Sequence, residues 1–283
     1  MTVQAALRRG THLLALAGSD EANLEAELLL AHALGLDRVH LYQSLRDPIP
    51  PEGKAAYLSL LERRTAHEPT AYLLGHKEFY GLEFEVTPAA LIPRPETEVL
   101  VELVIAFAGE RFAGEPFLLV DAGVGAGVIA VAIARELPQV RVIATDVSAE
   151  ALALAQRNAE SHGLGQRIRF LQGDLLEPLD TRAEIIAANL PYVPTATLER
   201  QPPEIREHEP REALDGGPDG LRLIDRLLRQ APQHLKAGGT LYAEIGDEQG
   251  EAALALAREA FPEAAVEIKP DLSGLDRVLV VRS

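Results

Sequence analysis

The stretch Phe117-Leu118-Leu119-Val120-Asp121-Ala122-Gly123-Val124-Gly125-Ala126-Gly127 decides the fold. Four consecutive apolar residues read as a strand buried on both faces. The glycines after them allow a tight turn that brings backbone close to a ligand before a helix begins at 128. Outward from this stretch, apolar runs at 140–144, 168–171, 185–188 and 240–245 alternate with helix-like segments. That alternation marks an open parallel sheet with helices on both faces. Two further runs, 265–268 and 277–281, are separated by Lys269-Pro270-Asp271-Leu272-Ser273-Gly274, too short for a crossover helix. They should pair antiparallel, so the expected α/β fold has a mixed seven-stranded sheet.

The chain before this region differs in character. Residues 3–17 and 21–35 read as helices, the second with Leu24, Leu28, Ala31 and Leu34 on one side and Gly35 at its end. A third starts after Pro50-Pro51 and sets Tyr57, Leu60, Leu61 and Arg64 at helical spacing. Together they predict a small helical domain over 1–75. Bulky and polar residues alternate around Gly81 across 76–87, which predicts a β-hairpin in a connector at 76–90, with the large domain over 91–283.

Composition narrows the function. A length of 283 residues with 47% hydrophobic content fits one sizeable core and a smaller one. No run approaches about 20 uninterrupted apolar residues and no secretory pattern opens the chain, so no membrane association and a cytoplasmic location are expected. The absence of cysteine excludes disulfides, thiolate metal sites and cysteine nucleophiles. No histidine spacing suggests a metal site, and none is expected. A formal charge of −16 repels a phosphate backbone, which argues against a direct nucleic acid substrate. Residues 1–75 carry 7 Arg or Lys against 9 Asp or Glu, a net −2, leaving −14 for the remainder. A macromolecular partner should prefer the nearly neutral part.

The turn Gly123-Val124-Gly125-Ala126-Gly127 suits a nucleoside cofactor. Asp146, 19 positions beyond Gly127, ends the next strand, where its carboxylate can take both ribose hydroxyls. NAD and S-adenosylmethionine both satisfy this much. Asp121 begins to separate them, because a carboxylate beside the turn favours the methionine ammonium and burdens a pyrophosphate. After the third strand, Asp174 is placed to accept from an adenine amino group, with Leu175 packed on the base. No Gly-x-x-x-x-Gly-Lys-Ser/Thr loop for a triphosphate is present.

Asn189-Leu190-Pro191-Tyr192 follows the fourth strand, at the end of the sheet where open α/β folds bind ligands. An amide or exocyclic amine is a feeble nucleophile, since its lone pair is delocalised. Acceptors that hold its hydrogens turn that pair toward an electrophile. The Asn189 side-chain oxygen and the Leu190 carbonyl can each take one hydrogen. Pro191 stiffens the turn, and Tyr192 offers a flat face to a planar acceptor.

With these motifs the chain resembles the glutamine N5 methyltransferases of peptide chain release factors, the family called HemK or PrmC. The likeness extends over nearly the whole chain. It includes Gly75-His76-Lys77-Glu78-Phe79-Tyr80-Gly81, Leu91-Ile92-Pro93-Arg94-Pro95-Glu96-Thr97-Glu98, Glu209-Pro210-Arg211-Glu212-Ala213-Leu214 and Gly239-Thr240-Leu241-Tyr242-Ala243-Glu244-Ile245-Gly246. The resemblance implies a class I S-adenosylmethionine-dependent methyltransferase fold and S-adenosylhomocysteine as product. Cofactor contacts would fall on Gly123 to Gly127, Asp146, Leu175 and Asn189, with the acceptor loop at Asn189 to Tyr192. The implied substrate is the glutamine of the Gly-Gly-Gln loop in bacterial-type class I release factors, with the front domain recognising their body.

Arg94 and Glu209 are further candidates for placing the substrate, although Arg94 could equally pair with Glu96 or Glu98. Leu190 stands where the family usually has proline, and Val124 where threonine is common. Leu190 also resembles the Asn-Leu-Pro-Tyr/Phe form of enzymes that dimethylate adenines in small-subunit ribosomal RNA. An adenine amino methyltransferase acting on RNA or DNA is therefore the alternative enzyme. Such enzymes generally carry their extra domain after the catalytic one and favour basic surfaces, the reverse of this chain. A non-catalytic S-adenosylmethionine-binding interaction protein is a third reading, opposed by the intact Asn189 and Tyr192.

Overall fold

Thr2 opens the first helix by accepting the Ala5 amide on its hydroxyl at 3.3 Å, an N-cap that satisfies one of the free donors of the first turn. The computed structural model describes Met1 to Ser283. Helix α1 is Val3–Leu16 and α2 is Ala22–Leu34, which ends where Gly35 turns left-handed. A short α3, Arg38–Gln43, is capped by Asp37, whose carboxylate accepts the His40 amide. Helix α4, Pro51–Thr65, has its proline at the first position, where no amide is needed, and α5 is Thr70–Leu74. The apolar faces meet around Leu14, Leu29, Leu30, Leu41, Tyr57 and Leu61.

Arg64 is buried in this unit and needs compensating charge. Its guanidinium donates to Glu25 at 2.9 Å and to Glu204 at 3.0 Å. Glu204 lies far along the chain, on a short helix, Pro203–His208. The chain accordingly divides into Met1–His76 with Pro202–His208 as one unit, and Lys77–Gln201 with Glu209–Ser283 as the other.

A hairpin of β1, His76–Phe79, and β2, Leu82–Glu85, runs into the larger unit, where Phe79 and Phe84 enter the main core. The order that follows is α6 (Thr97–Phe112), β3 (Phe117–Ala122), α7 (Val128–Glu136), β4 (Val140–Asp146), α8 (Ala149–Ser161), β5 (Ile168–Gln172) and β6 (Ala183–Ala188). After α9, the Pro203–His208 helix already met, come α10 (Arg222–His234), β7 (Leu235–Glu244), α11 (Gly250–Ala260), β8 (Ala265–Pro270) and β9 (Asp276–Arg282). The seven strands align as β5-β4-β3-β6-β7-β9-β8, with β5 through β7 parallel and β9 antiparallel to both neighbours. The expected mixed sheet with its terminal hairpin is present.

Two apolar clusters cover the sheet. One contains Leu119, Val131 and Ile185, the other Val120, Ile186 and Leu241, as alternating residues of each strand point to opposite faces. From β3 the chain builds outward through β4 to β5, then returns to add β6 on the other side. This reversal leaves a crevice beyond the carboxyl ends of β3 and β6, the topological switch point of an open α/β sheet.

Candidate active site

Ala122 and Ala188 are register partners at the ends of β3 and β6, so the glycine turn and the Asn189 loop leave the sheet side by side. The approach is close. Gly123 has φ +79°, and a Cβ there would meet the Leu190 side chain at 2.7 Å. Gly127, at φ +86°, would place a Cβ 3.1 Å from that of Ala155 on α8. Both positions therefore require glycine on two counts, backbone conformation and space.

The turn's amides are already engaged. Gly123 and Val124 donate to the Thr145 carbonyl at 2.9 Å, Gly127 donates to the Val124 carbonyl, and Gly125 donates to the Asp146 carboxylate at 3.0 Å. Asp121 is fully buried, and its Oδ2 accepts the Ala130 amide at 3.0 Å, capping the start of α7. A pyrophosphate requires that helix end and a row of free amides. Here a carboxylate occupies the position, which decides against NAD.

The other Asp121 oxygen, Oδ1, is buried without a partner. An acceptor left in this state fits an incoming ammonium, the amino group of a methionine moiety. Asp146 accepts Gly125 on one oxygen and the Ser148 amide on the other, at 2.9 Å, leaving lone pairs for ribose hydroxyls. Ser148 itself caps α8 by accepting the Ala151 amide, so Asp146 is not that helix's cap. Leu175 is held at φ +51°, a strained value for its residue type, and its carbonyl accepts the Thr145 hydroxyl at 2.7 Å. Asp174 is paired with Arg226 of α10. Asn158, which the sequence did not single out, donates to the Ala126 carbonyl at 2.9 Å and exchanges hydrogen bonds with Glu85, tying the turn to the hairpin.

On the acceptor side, Asn189 donates its side-chain amide to the Thr97 hydroxyl at 2.9 Å, so its oxygen is the atom left to receive a hydrogen. Leu190 is buried with its side chain against Gly123, so only its backbone is available to a substrate. The Tyr192 hydroxyl donates to Glu244 at 3.2 Å, and the Tyr192 carbonyl accepts from Gln249 at 2.9 Å. Burial, then the nearby Glu244, raises the Tyr192 phenol above its ordinary range, keeping it neutral. Gly220 passes so close that a Cβ there would lie 2.1 Å from the Tyr192 carbonyl.

Arg94 does not pair with Glu96 or Glu98. It forms an ion pair with Glu209, which is buried and also accepts the Ile92 amide at 3.1 Å. The two motifs that carry Arg94 and Glu209 are thus clasped to one another. Thr97, Glu244 and Gln249 are functional neighbours that sequence reasoning missed. Thr97 and Glu244 stand inside motifs quoted above, but their reach to the loop depends on the fold.

The sheet order with its switch point, and the carboxylate-capped glycine turn beside the Asn189 loop, are those of a class I S-adenosylmethionine-dependent methyltransferase. Residues 5–75 match the family model described as PrmC N-terminal domain, and residues 107–201 match the one described as methyltransferase small domain. A release factor glutamine methyltransferase of Geobacter sulfurreducens is 47% identical over 264 residues, covering 93% of this chain and 90% of that protein. One from Moorella thermoacetica is 44% identical over 279 residues, covering 98% and 97% respectively. A solved methyltransferase structure from Pyrococcus furiosus shares the fold, with a TM-score of 0.51 at 18% identity over 73% of this chain and 91% of that one. The chain belongs to the release factor glutamine methyltransferase family, and its methyl donor is S-adenosylmethionine.

Burial pushes the Asp121 carboxyl up to about 7, against the Ala130 hydrogen bond and with help from Asp146. A raised carboxyl favours its neutral form in the fold. Its contribution to stability is complete below the ordinary value of 3.8 and is lost as pH rises through about 7. Cofactor binding has the opposite sense, because the ionised form attracts the ammonium. Titration calorimetry should therefore show S-adenosylmethionine binding about fivefold tighter near pH 7.5, where the donor's ammonium is still largely protonated, than near pH 6, with the difference lost in Asp121→Asn. A pH-independent affinity in the parent protein would remove Asp121 from this role.

Proposed function

We propose that the chain transfers a methyl group from S-adenosylmethionine to the side-chain amide nitrogen, N5, of the glutamine in the Gly-Gly-Gln motif of class I peptide chain release factors. The supporting observation is the Asn189-Leu190-Pro191-Tyr192 loop beside the cofactor turn, with the Asn189 amide tied back to Thr97 and its oxygen left as an acceptor. The near full-length relatives, release factor glutamine methyltransferases, support the same substrate.

Bound in the turn, S-adenosylmethionine supplies an electrophilic methyl group on a sulfonium sulfur. Asn189 Oδ1 and the Leu190 carbonyl take the two amide hydrogens, and Tyr192 supports the flat face. Held in this way, the nitrogen lone pair is directed out of conjugation for in-line attack. The donor sulfur would take the electron pair of the carbon–sulfur bond as the nitrogen–carbon bond forms. The amide proton departs after attack, so no ionised base is needed beforehand. Asn189 to Tyr192 are the groups proposed to act on the substrate. Gly123 to Gly127, Asp121, Asp146, Asp174 and Leu175 hold the donor, while Arg94 and Glu209 shape the acceptor side through their mutual pair.

The helical unit recognises the release-factor body in this reading. The acidic charge of −16 supports a protein substrate over nucleic acid. No helix is long and apolar enough to cross a membrane, and a cytoplasmic location accords with a partner in translation. Incubation of labelled S-adenosylmethionine with each purified release factor, followed by mass spectrometry, should place one methyl group on the Gly-Gly-Gln glutamine. Label in RNA or DNA with none in release factor would replace this reading with the adenine one. Tight cofactor binding without transfer to any partner would support a non-catalytic role.

A further inference from the structure

We propose that Thr97 and Glu244 are positioning residues that set the hydrogen-bond polarity of the acceptor pocket, fixing Asn189 so that it presents oxygen, and not nitrogen, to the substrate. This rests on the assignment of the Asn189 loop to the acceptor. Asn189 is a symmetric-looking group with opposite ends. If it turned over, its nitrogen would face the amide hydrogens of the substrate, donor against donor. Something outside the loop must choose the end.

The choice is made behind the loop. Asn189 Nδ2 donates to Thr97 Oγ1 at 2.9 Å, and Thr97 is only 2% exposed, so water cannot substitute for it. A hydroxyl accepts reliably from one neighbour only when its own hydrogen is committed elsewhere. Glu244 faces Thr97 and accepts the Tyr192 hydroxyl on Oε1 at 3.2 Å. Glu244 is fully buried at the end of β7, and its Oε2 has no hydrogen-bond partner. An ionised carboxylate only accepts. Its Oε1 holds the Tyr192 hydrogen and its unpartnered Oε2 is the acceptor open to that of Thr97, an arrangement that leaves Thr97 to accept from Asn189 and Asn189 Oδ1 facing outward. One buried charge thus orients both polar side chains of the loop.

The groups facing Glu244 come from several elements: Thr97 at the start of α6, Tyr192 of the loop, Arg277 of β9 and Glu96 just before α6. Arg277 is itself held by Asp271, at 3.1 Å. Burial raises the Glu244 carboxyl to about 7, while Thr97, Tyr192 and Arg277 lower it and Glu96 raises it further. Once protonated, Glu244 has a hydrogen of its own to donate, and the direction of the chain is no longer enforced. At saturating S-adenosylmethionine Asp121 faces the ammonium and stays ionised. An acidic limb in kcat near pH 7 then reports Glu244.

The test uses the full chain and purified release factor, with Thr97→Val, Thr97→Ser, Glu244→Gln and Asn189→Ala compared. Thr97→Val should lower kcat about tenfold or more with S-adenosylmethionine affinity within about twofold, the scale expected for losing one directing hydrogen bond. Thr97→Ser, which keeps the hydroxyl, should recover to within about threefold. Glu244→Gln should lower kcat about tenfold and flatten the limb, since a carboxamide does not titrate there. Equal losses in Thr97→Ser and Thr97→Val, or a Glu244→Gln profile with the limb intact, would overturn the inference even if valine disturbs packing. If Asn189→Ala leaves transfer unchanged, the acceptor-loop assignment fails, and this inference with it. Loss in Asn189→Ala alone, with the other three at parental kcat, overturns only the positioning role.

Discussion

Asn189→Ala should lower kcat/KM for release-factor methylation about 10²–10³-fold, with most of the loss in kcat. The reason is the division of labour at the crevice. The glycine turn and the aspartates hold the donor through contacts that survive the substitution, so cofactor affinity should change by less than about tenfold. What disappears is the side-chain oxygen that receives an amide hydrogen, at a point where water is a poor substitute because the loop is packed against Gly123, Gly220 and Gln249. Truncation also leaves the Thr97 hydroxyl without its donor, in a site that is 2% exposed. Steady-state rates at saturating cofactor, with a calorimetric affinity alongside, separate the two effects. A fall in cofactor affinity as large as the fall in rate would mean that Asn189 serves the donor more than the acceptor.

The large unit was legible because its strands are buried on both faces and so read as unbroken apolar runs. Each of the seven predicted runs is a strand, and most extend by one or two residues at the ends. The terminal hairpin followed from one length argument, that six residues cannot hold a crossover helix. The glycine turn was legible for a related reason, since positive φ and close approach restrict residue choice locally. Its chemistry was less so. Glycine at these positions suggested amides available to a ligand, whereas the structure turns four of them inward and leaves the buried Asp121 Oδ1 as the group without a partner.

What escaped the sequence depends on partners distant along the chain. Arg94 had nearby acidic neighbours, yet its partner is Glu209, because the buried Glu209 needs a charge and also binds the Ile92 amide. Asp174 pairs with Arg226, a partner 52 positions further along the chain, on α10. Thr97 and Glu244 looked like ordinary members of their motifs, and only β7 lying beside β6 brings Glu244 to the back of the Asn189 loop. The grouping of Pro202–His208 with the front helices was equally hidden, as it includes a buried cation, Arg64, held by Glu25 and Glu204, and a contact of His208 with the Ala66 carbonyl.

Removing residues 1–76 should leave a protein that folds and binds S-adenosylmethionine but methylates intact release factor with kcat/KM reduced about 100-fold. Folding should persist because the apolar clusters are separate. The front cluster contains nothing beyond Leu74, and the two clusters on the sheet contain nothing before Phe79. Pro202–His208 loses Arg64 and its neighbours in such a variant, but it contributes no buried residue to the catalytic core. The catalytic crevice offers one loop's worth of contact to a single glutamine, too little surface for a protein substrate held by that contact alone. Binding to the rest of the release factor must come from elsewhere, and the front helices are nearly neutral where the remainder is strongly acidic. A short peptide carrying the Gly-Gly-Gln loop provides the discriminating control, since it lacks the body that the helices would grip. Its kcat/KM should be low and nearly the same for the full chain and for 77–283. An unchanged kcat/KM on the intact factor would end the recognition role, whereas loss of folding and cofactor binding would make the helical unit a structural cover.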